Sequence, residues 1–390
     1  MNILFYRYGS ICEPDMIKAL KELQIEVMEI TEEITDKTIT SSRRIQLISA
    51  GIEQYQPLFV FSINYYPAIA EVCHLYGTRY LCWTVDCPVP ELFSPSIQYD
   101  TNQIFLFDRA QYDDIAGHNP GHIHHLPLAS AVQRFDQVIT GIDETDRRTY
   151  GSDISFVGSL YSEKNPLHTM TSLSEYAKGY IRGIVDASLK VYGYNFLEEV
   201  MTPELIAELK TADPAFYHLE NALADTDVYV AAHSYIGYHA AETERIRTLN
   251  TLAQYFPVDL YTRSDVSPLQ NVRTYGGIQT LTEMPKVFHL SKINLNMTIK
   301  PIQTGLPLRI FDIMGCGGFL MTNYQEELTD HFEIGVDLEA YGSLEELVDK
   351  CAYYLEHEDE RVQIARNGYE KVKKNHSYLH RIKEMIRCLG

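Results

Sequence analysis

Residues 291–322 constrain the fold of this chain more than any other stretch. The segment reads SKINLNMTIKPIQTGLPLRIFDIMGCGGFLMT. It predicts a strand at 293–297, a loop with glycine and proline, a helix that opens near Pro307, and a second strand at 319–322. Strand, loop, helix and strand in this order form the repeating unit of a parallel sheet covered by helices. We therefore expect an α/β protein.

The start of the predicted helix has the chemistry of an anion-binding site. Proline suits the first helical turn, and the unbonded backbone N–H groups of that turn face the preceding loop. Arg309 adds a planar guanidinium that stays charged and matches the geometry of phosphate oxygens. Asp312 can accept hydrogen bonds from ribose hydroxyls while the helix start keeps it ionised. The alternative is that Arg309 and Asp312 only form an ion pair on the helix surface.

The rest of the chain repeats the alternation of strands and helices. A helix is predicted at 14–23 and a last amphipathic helix at 377–388, while a polar segment at 137–153 is interpreted as a link between two domains. This organisation indicates two doubly wound α/β domains, which 390 residues are enough to build. The predicted strands are 2–6, 26–30, 58–63, 80–85, 103–107, 154–158, 228–232, 258–262, 272–276, 293–297 and 319–322.

The composition indicates a soluble globular protein and limits its partners. The apolar fraction is 45%, and no apolar run approaches the length that crosses a bilayer. The N-terminal MNILFYRYGS leads into a strand pattern without the apolar region of a secretory signal, so we expect a cytoplasmic protein without stable membrane insertion. The formal net charge of −20 argues against a nucleic-acid partner, because an acidic surface repels phosphates.

The segment from about residue 259 to residue 381 resembles the C-terminal half of the CgeB-like (spore maturation protein) glycosyltransferases, a branch of the GT-B glycosyltransferases. The matching pieces, in order, are EMPKVFHLSKINLNMT, PLRIFDIMGCGGFLMTN, DHFEIGVDLEAY and IARNGYEKVKKNHSYLHRI. The resemblance implies two facing Rossmann-like domains with a cleft between them. It places an acceptor-side domain at 1–150, a nucleotide-sugar-binding domain at 151–375, and a terminal helix at 376–390 that crosses back to the first domain.

The resemblance also implies roles for two positions of the loop and helix around Pro307. In the wider GT-B group this region carries an E-x7-E pattern, whose second glutamate binds the ribose of the nucleotide. The corresponding positions here are Thr304 and Asp312. Ribose binding by Asp312 is therefore implied, whereas the first acid of the pattern is absent.

Loops that follow strands are the expected place for the nucleotide, because open α/β sheets bind ligands beyond the carboxyl ends of their strands. The resemblance places the FVGS element of the family at Gly158 and Ser159, and its base-binding loop at 276–285. Lys164 and Lys300 can add positive charge for a diphosphate. The alternative is that both are lysines of solvated loops. The candidate nucleotide-binding residues are Gly158, Ser159, Lys164, Tyr261, Thr262, Met284, Thr304, Gly305, Leu308, Arg309 and Asp312.

Asp86, in YLCWTVDCPVPEL, is the candidate for chemistry in the N-terminal domain. It follows a strand rich in aromatic and apolar residues, so we expect a partly buried carboxylate at the carboxyl end of the sheet. Partial burial would raise its proton affinity toward the range of a general base that activates an acceptor hydroxyl. The alternative is an ordinary turn residue close to Pro88. Gly9, after the first strand, is a second position where a substrate can approach the backbone.

No motif in the sequence predicts a metal site. The seven cysteines form no C-x-x-C pair, and reduced, mostly buried thiols are the expectation. Residues 225–227 resemble the D-x-D motif of metal-dependent glycosyltransferases, but they precede a predicted strand, whereas a metal site would follow one. His122, His124 and His125 lack the acidic or thiolate companions of a zinc site.

Together, the residues and the resemblance predict a metal-independent glycosyltransferase of the hexosyl type that uses no cofactor. The expected donor is a nucleotide sugar with UDP as the nucleotide, and the expected acceptor is a hydroxyl group of a protein or glycan. Arg309 would stabilise the departing diphosphate and Asp86 would act as base or electrostatic partner, which makes them the candidate catalytic residues. The alternatives are a nucleotide-sugar epimerase of the same architecture, which needs no acceptor, and a non-catalytic module that only binds the nucleotide.

Overall fold

The computed structural model describes residues 1–389 and divides into two compact units. Each unit has its own sheet and its own hydrophobic core. Unit 1 is built from Met1–Ala129, Leu219–Thr226 and the residues from Ser377 onward. Unit 2 is built from Ser130–His218 and Asp227–His376.

The strands of the described residues form two parallel six-stranded sheets. Most of the predicted strands are present, with small shifts at their ends. The strands are β1 Asn2–Tyr6, β2 Glu26–Ile30, β3 Phe59–Ile63, β4 Arg79–Trp83, β5 Asn102–Leu106, β6 Ile123–His125, β7 Ser152–Val157, β8 Val258–Tyr261, β9 Arg273–Tyr275, β10 Ser291–Asn296, β11 Leu320–Asn323 and β12 Glu339–Tyr341. The sequence patterns miss β6 and β12, which have three residues each and lie at sheet edges.

Helices connect these strands. The α-helices are α1 Glu13–Glu22, α2 Glu32–Thr35, α3 Ser41–Tyr55, α4 Pro67–Tyr76, α5 Arg109–Ile115, α6 Val132–Thr140, α7 Glu144–Tyr150, α8 Glu175–Ser188, α9 Pro203–Ala212, α10 Thr226–Tyr229, α11 Gly237–Leu252, α12 Met284–Leu290, α13 Leu308–Gly315, α14 Leu328–His331, α15 Leu344–Glu356, α16 Glu358–Asn375 and α17 Tyr378–Arg387. Short 3₁₀ helices are Pro90–Phe93, Pro95–Gln98, Ala116–His118, Ser162–Lys164, Pro166–Thr169 and Glu198–Val200. Within residues 1–389, none of the helices combines the length and apolar character needed to cross a membrane.

The sheet of unit 1 has the strand order β2-β1-β3-β4-β5-β6. The order reverses between β1 and β3, and a crevice for ligands forms outside the carboxyl ends of the strands at such a switch point. The strands are short runs of aromatic and branched side chains, such as FVFSI of β3, whose five residues are all buried. Helices that cover both faces of a parallel sheet explain such continuous burial.

The sheet of unit 2 has the strand order β12-β11-β10-β7-β8-β9. Its switch point lies between β7 and β10, so the loops after these two strands border the expected ligand crevice. Polar bonds fix the two strands inside the apolar core: Ser155 Oγ on β7 donates to Asn294 Oδ1 on β10 at 3.0 Å. Asn294 is fully buried, and its Nδ2 donates to the carbonyl oxygen of Phe288 at 2.9 Å.

One strand prediction is wrong. Residues 228–232 are not a strand, because α10 and the π-helix Val230–Ile236 cover them. A short, fully buried apolar run has no periodicity that separates a strand from a buried helix. Most of the polar segment 137–153, interpreted as a link between two domains, lies in α6 and α7, and Asp143 forms a capping box at the start of α7.

The last helix, α17, belongs to unit 1 and packs against α1. Ser377 and His380 form a capping box at its start. The ring of Tyr378 lies 6.1 Å from that of Trp83 in an edge-to-face arrangement. Arg381 Nε donates to the carbonyl oxygen of Pro127 at 2.7 Å. The C-terminal helix therefore forms part of the core around the N-terminal sheet.

Candidate functional site

A cavity of about 220 Å³ lies at the switch point of unit 2. The ends of β7 and β10, the loops after them and the start of α13 form its walls. Four of the predicted nucleotide-binding residues line it, namely Gly158, Ser159, Lys164 and Arg309. The others, which do not line it, are Tyr261, Thr262, Met284, Thr304, Gly305, Leu308 and Asp312.

Hydrogen bonds prearrange the loop after β7. The Leu160 N–H donates to Ser264 Oγ at 2.7 Å. Glu163 accepts from the hydroxyl groups of Ser159, at 2.5 Å, and Ser264, at 2.8 Å. Burial alone would raise the pKa of Glu163, but the hydrogen bonds, led by that of Ser159, hold it below its ordinary value. The loop is therefore folded around an ionised glutamate.

Arg309 lies in the first turn of α13, and Pro307 is the N-cap residue. No side chain of the described residues caps this helix start. Arg309 Nη1 lies 2.7 Å from the sulfur of Met284 and 3.5 Å from Asp312 Oδ2, and the guanidinium lies 5.1 Å from the centre of the Phe288 ring. Loss of water lowers the pKa of Arg309, and the negative charge of Asp312 opposes this effect. The positive end of the helix and a guanidinium thus meet at one cavity wall.

Asp312 does pair with Arg309, but not on an open helix surface. Asp312 is 5% exposed, whereas the Arg309 side chain is 24% exposed. The buried carboxylate orients the guanidinium from one side and leaves its partly exposed side to the cavity.

Thr304 and Gly305 are tied to the loop after β11. Thr304 Oγ1 donates to Glu327 Oε1 at 2.8 Å, and the Glu327 N–H donates to the Thr304 carbonyl oxygen at 3.1 Å. Gln325 Nε2 donates to the carbonyl oxygen of Gly305 at 3.2 Å. A carboxylate therefore contacts position 304, although a different loop supplies it. Leu308 is the first residue of α13.

Tyr261 and Thr262 lie at the carboxyl end of β8 and support the cavity loop. The Tyr261 carbonyl oxygen accepts from the Gly158 N–H at 3.1 Å, and Thr262 Oγ1 accepts from the Ser264 N–H at 3.1 Å. The rings of Tyr261 and Tyr275 stack with centres 4.9 Å apart. Burial raises the pKa of Tyr261 to about 12.

The two candidate lysines differ in their surroundings. Lys164 is exposed and lines the cavity, with Nζ 4.9 Å from the centre of the Tyr161 ring. Lys300 is 7% exposed, and its Nζ donates to the Val191 carbonyl oxygen at 2.7 Å. Lys300 is therefore neither a solvated loop lysine nor a lining residue of this cavity.

Sequence reasoning missed Arg245, which lies on α11 and lines the same cavity. Its Nη1 donates to the Ser159 carbonyl oxygen at 2.6 Å, and its Nη2 to the Met297 carbonyl oxygen at 2.8 Å. The guanidinium lies 4.5 Å from the centre of the Tyr161 ring and 5.3 Å from that of Phe156. In the sequence it stands in ETERIRTLN, a pattern typical of a solvated helix face, so no local signal marks it.

Asp86 follows β4 in unit 1 and is exposed, so the expectation of partial burial is wrong. Asn64, which follows β3, donates from Nδ2 to Asp86 Oδ2 at 2.6 Å and to Tyr8 Oη at 3.1 Å. Asn64 Oδ1 accepts from the N–H groups of Val85, at 3.0 Å, and Asp86, at 3.4 Å. Burial, reinforced by the Asp86 charge, raises the pKa of Tyr8 and keeps its phenol protonated. An amide and a phenol therefore hold one carboxylate at the carboxyl end of the sheet.

The loop after β1 borders the switch point of unit 1, which lies between β1 and β3. Gly9 has a φ of +93°, a conformation that favours glycine. The buried Glu13 accepts from the N–H groups of Tyr8, at 2.9 Å, Gly9, at 2.8 Å, and Ser10, at 3.0 Å. Sequence reasoning found Asp86 and missed Tyr8 and Asn64. Asparagine directly after a strand is the signal that could have pointed to Asn64, since asparagine tolerates positive φ.

The metal-like motifs do not form a cluster. Among residues 1–389, no three His, Cys, Asp or Glu side chains converge as they do around a metal ion. Residues 225–227 lead into α10 rather than into a strand. His122 and His124 both hydrogen-bond the amide of Gln103, at 2.9 and 2.7 Å.

Comparison with known proteins gives this geometry a context. Residues 244–387 match the family described as "Glycosyl transferase-like". This range includes Arg245 and α13 with Arg309 and Asp312. A comparison with curated protein sequences finds no match.

Solved structures resemble the whole chain. A glycosyltransferase from Rickettsia africae ESF-5 is 12% identical with a TM-score of 0.54, and the match covers 100% of this chain and 98% of that chain. Anabaena HepE in complex with UDP is 11% identical with a TM-score of 0.55, and a sucrose-phosphate synthase from Thermosynechococcus elongatus is 10% identical with a TM-score of 0.55. Both matches cover 100% of this chain and 99% of the other chain. The chain has the GT-B fold. The predicted fold class, two doubly wound α/β domains of the GT-B type, is confirmed.

Proposed function

We propose that this GT-B protein transfers a sugar from a UDP-sugar to a hydroxyl group of a protein or glycan. The observation that carries the proposal is the cavity at the switch point of unit 2, where Lys164 and Arg309 line one space of about 220 Å³ with the start of α13. Two cations and a helix start suit the diphosphate of a nucleotide sugar. Anabaena HepE, which has the same fold, has been crystallised with UDP and with UDP-glucose, which supports a uridine nucleotide as donor.

The reaction divides the roles among few residues. The acceptor oxygen forms a bond to the anomeric carbon of the sugar, the bond from that carbon to the phosphate oxygen breaks, and UDP leaves with the electron pair. Arg309 stabilises the negative charge that develops on the diphosphate. Asp312 does not line the cavity, and its role of holding the ribose rests on the resemblance to the GT-B glycosyltransferases. Asp86 takes the proton of the acceptor hydroxyl. Unit 2 holds the donor in this scheme, and the acceptor binds at unit 1.

Charge neutralisation by protein groups makes the transfer independent of metal ions in this proposal. Arg309, Lys164 and the first turn of α13 supply positive potential at the cavity. The four sequence pieces that resemble the CgeB-like glycosyltransferases support placing the chain in that branch.

Thermal stabilisation by nucleotides is the first test. A ligand that binds only the folded protein raises the melting temperature in line with its affinity. UDP-glucose, UDP-N-acetylglucosamine and GDP-mannose should be compared with UDP and uridine, with and without EDTA. We expect UDP and one or more UDP-sugars to raise the melting temperature in the presence of EDTA. No shift with any uridine nucleotide, or a shift only without EDTA, would contradict the corresponding part of the proposal.

Product analysis then separates transfer from the two alternatives. Transfer releases UDP in proportion to a glycosylated acceptor, whereas an epimerase converts the nucleotide sugar without an acceptor. The lack of an acid at position 304 favours a binding module as the second candidate, since Thr304 bonds Glu327 instead of supplying a carboxylate itself. Binding of UDP-sugars with no UDP release across a panel of glycans and peptides would decide for the module.

A further inference from the structure

Within residues 1–389, Arg245 is a buried cation that forms no ion pair with a carboxylate. The residue is 9% exposed, and no ion pair involves it among the described residues. The other two arginines that are buried to this degree do have such partners: Arg361 lies 3.7 Å from Glu358, and Arg381 lies 3.5 Å from Glu384. Buried charges are normally paired because removal from water is costly. An unpaired guanidinium in the wall of a cavity therefore needs an explanation.

The hydrogen bonds of Arg245 do not use all of its donors. One N–H of Nη1 bonds the Ser159 carbonyl oxygen, and one of Nη2 bonds the Met297 carbonyl oxygen. Each of these nitrogens carries a second N–H group, and the buried Nε–H has no hydrogen-bond partner in the part of the chain that the structure describes. Loss of water lowers the pKa of Arg245, Tyr161 and the charges of Glu244 and Glu163 oppose this effect, and the charge of Arg309 reinforces it. Arg245 and Arg309 both line this cavity, so an anion that binds between them would be attracted by both charges.

The position of Arg245 adds a geometric argument. Ser159 follows β7 and Met297 follows β10, so the guanidinium bridges the two strand ends of the switch point. Its flat group lies over the rings of Tyr161 and Phe156, which fix its orientation. The side chain is thus preorganised at the crevice where an open α/β sheet takes its ligand.

We propose that Arg245 is a second anion-binding residue of this cavity, which recognises the diphosphate of the nucleotide together with Arg309. This inference rests on the proposed function, because it assumes that the cavity receives a nucleoside diphosphate. In this proposal Arg245, which lies outside the predicted loops, discriminates between a nucleoside diphosphate and the free nucleoside.

Calorimetric titration of the full chain with UDP, UMP and uridine tests the assignment. The variant Arg245→Met keeps an apolar side chain against the rings of Tyr161 and Phe156 but removes the charge. Arg245→Lys keeps a positive charge but loses the planar guanidinium with its several N–H groups. Arg247→Met is the matched control, because Arg247 lies two residues on in α11, is half exposed and pairs with Asp186 at 2.7 Å. Far-UV circular dichroism and the melting temperature establish that each variant is folded.

We expect Arg245→Met to weaken UDP binding at least tenfold, to weaken UMP binding less, and to leave uridine binding within twofold. Arg245→Lys should lose part of the UDP affinity, and Arg247→Met should behave as wild type. Unchanged UDP affinity in a folded Arg245→Met variant overturns the assignment. An equal loss for UDP and uridine also overturns it, because it indicates a purely structural clamp. If Arg245→Met does not fold, Arg245→Lys decides: a UDP affinity equal to that of the wild type overturns the assignment. If the wild type binds no UDP, the proposed function itself fails.

Discussion

Replacing Asn64 tests whether unit 1 holds Asp86 in a built arrangement or only in a surface turn. The backbone of Asn64 has a φ of +62°, a left-handed conformation that costs alanine about 1 kcal/mol more than glycine. Its side chain bonds Asp86 at 2.6 Å, Tyr8 at 3.1 Å and the Val85 N–H at 3.0 Å. Such bonds contribute about 1 kcal/mol each, and water at the exposed Asp86 replaces part of that, so the side chain is worth about 2 kcal/mol.

The single tryptophan of the chain makes the assay specific for unit 1. Trp83 is fully buried, and its carbonyl oxygen accepts from the Asn64 N–H at 2.9 Å. Urea unfolding followed by Trp83 fluorescence should therefore show Asn64→Gly destabilised by about 2 kcal/mol and Asn64→Ala by about 3 kcal/mol. With an m-value of about 2 kcal/mol/M, the midpoints fall by about 1 M and about 1.5 M.

The relative stabilities of Asn64→Gly, Asn64→Ala and the wild type test this reasoning. If Asn64→Ala is as stable as Asn64→Gly, the left-handed backbone carries no strain for alanine and the reasoning is wrong. If Asn64→Gly matches wild type, the side chain stabilises nothing, and Asp86 is an ordinary turn residue that cannot be expected to act as an oriented base.

Three further perturbations have defined outcomes. Arg309→Ala should weaken UDP binding by about 10- to 100-fold in calorimetry, the worth of a charge-assisted hydrogen bond. Circular dichroism must establish that the variant is folded, because the change also removes the ion pair of the buried Asp312. Gly318→Ala should destabilise unit 2 by about 1–3 kcal/mol in thermal unfolding, because the added Cβ would lie 2.5 Å from the carbonyl oxygen of Phe288. The control is Gly179→Ala, in α8 with open space around it, which should stabilise the protein by about 0.5–1 kcal/mol in the same series. Because the pKa of Glu163 is lowered, its contribution to stability is present above the ordinary glutamate pKa of about 4.3 and is lost as the pH falls. Glu163→Gln should therefore flatten the acidic part of a plot of unfolding free energy against pH. An unchanged slope would contradict the hydrogen bonds described for Glu163.

The sequence predicts the fold well wherever burial and pattern agree. Strands such as β1 and β3 are short, apolar on both faces and bounded by turn residues, so their type and position follow from composition alone. The pattern fails at Val230–Ile236, where a helix is buried all round and shows no period. It also fails at β6 and β12, whose three residues depend on a neighbouring strand for their conformation.

The candidate site is predictable to the extent that it lies on loops after strands. Lys164 and Arg309 were found because a general rule of open sheets points to those loops. Arg245 was not found, since its partners lie in two loops far away in the sequence and only the packing of α11 brings them together. The exposure of Asp86 was not foreseen either, because a strand that is buried along its length says nothing about the first residues after it.

Unit 1 takes its sheet from the beginning of the chain and α17 from the far end. A ribosome makes the chain in one direction, so β1 to β6 emerge while α17 is still untranslated. Until that moment the ring of Trp83 lacks Tyr378, and the carbonyl group of Pro127 lacks Arg381. All strands of unit 2 have been synthesised by then, so the unit whose sheet is made first receives its last helix after the sheet of the other unit is complete.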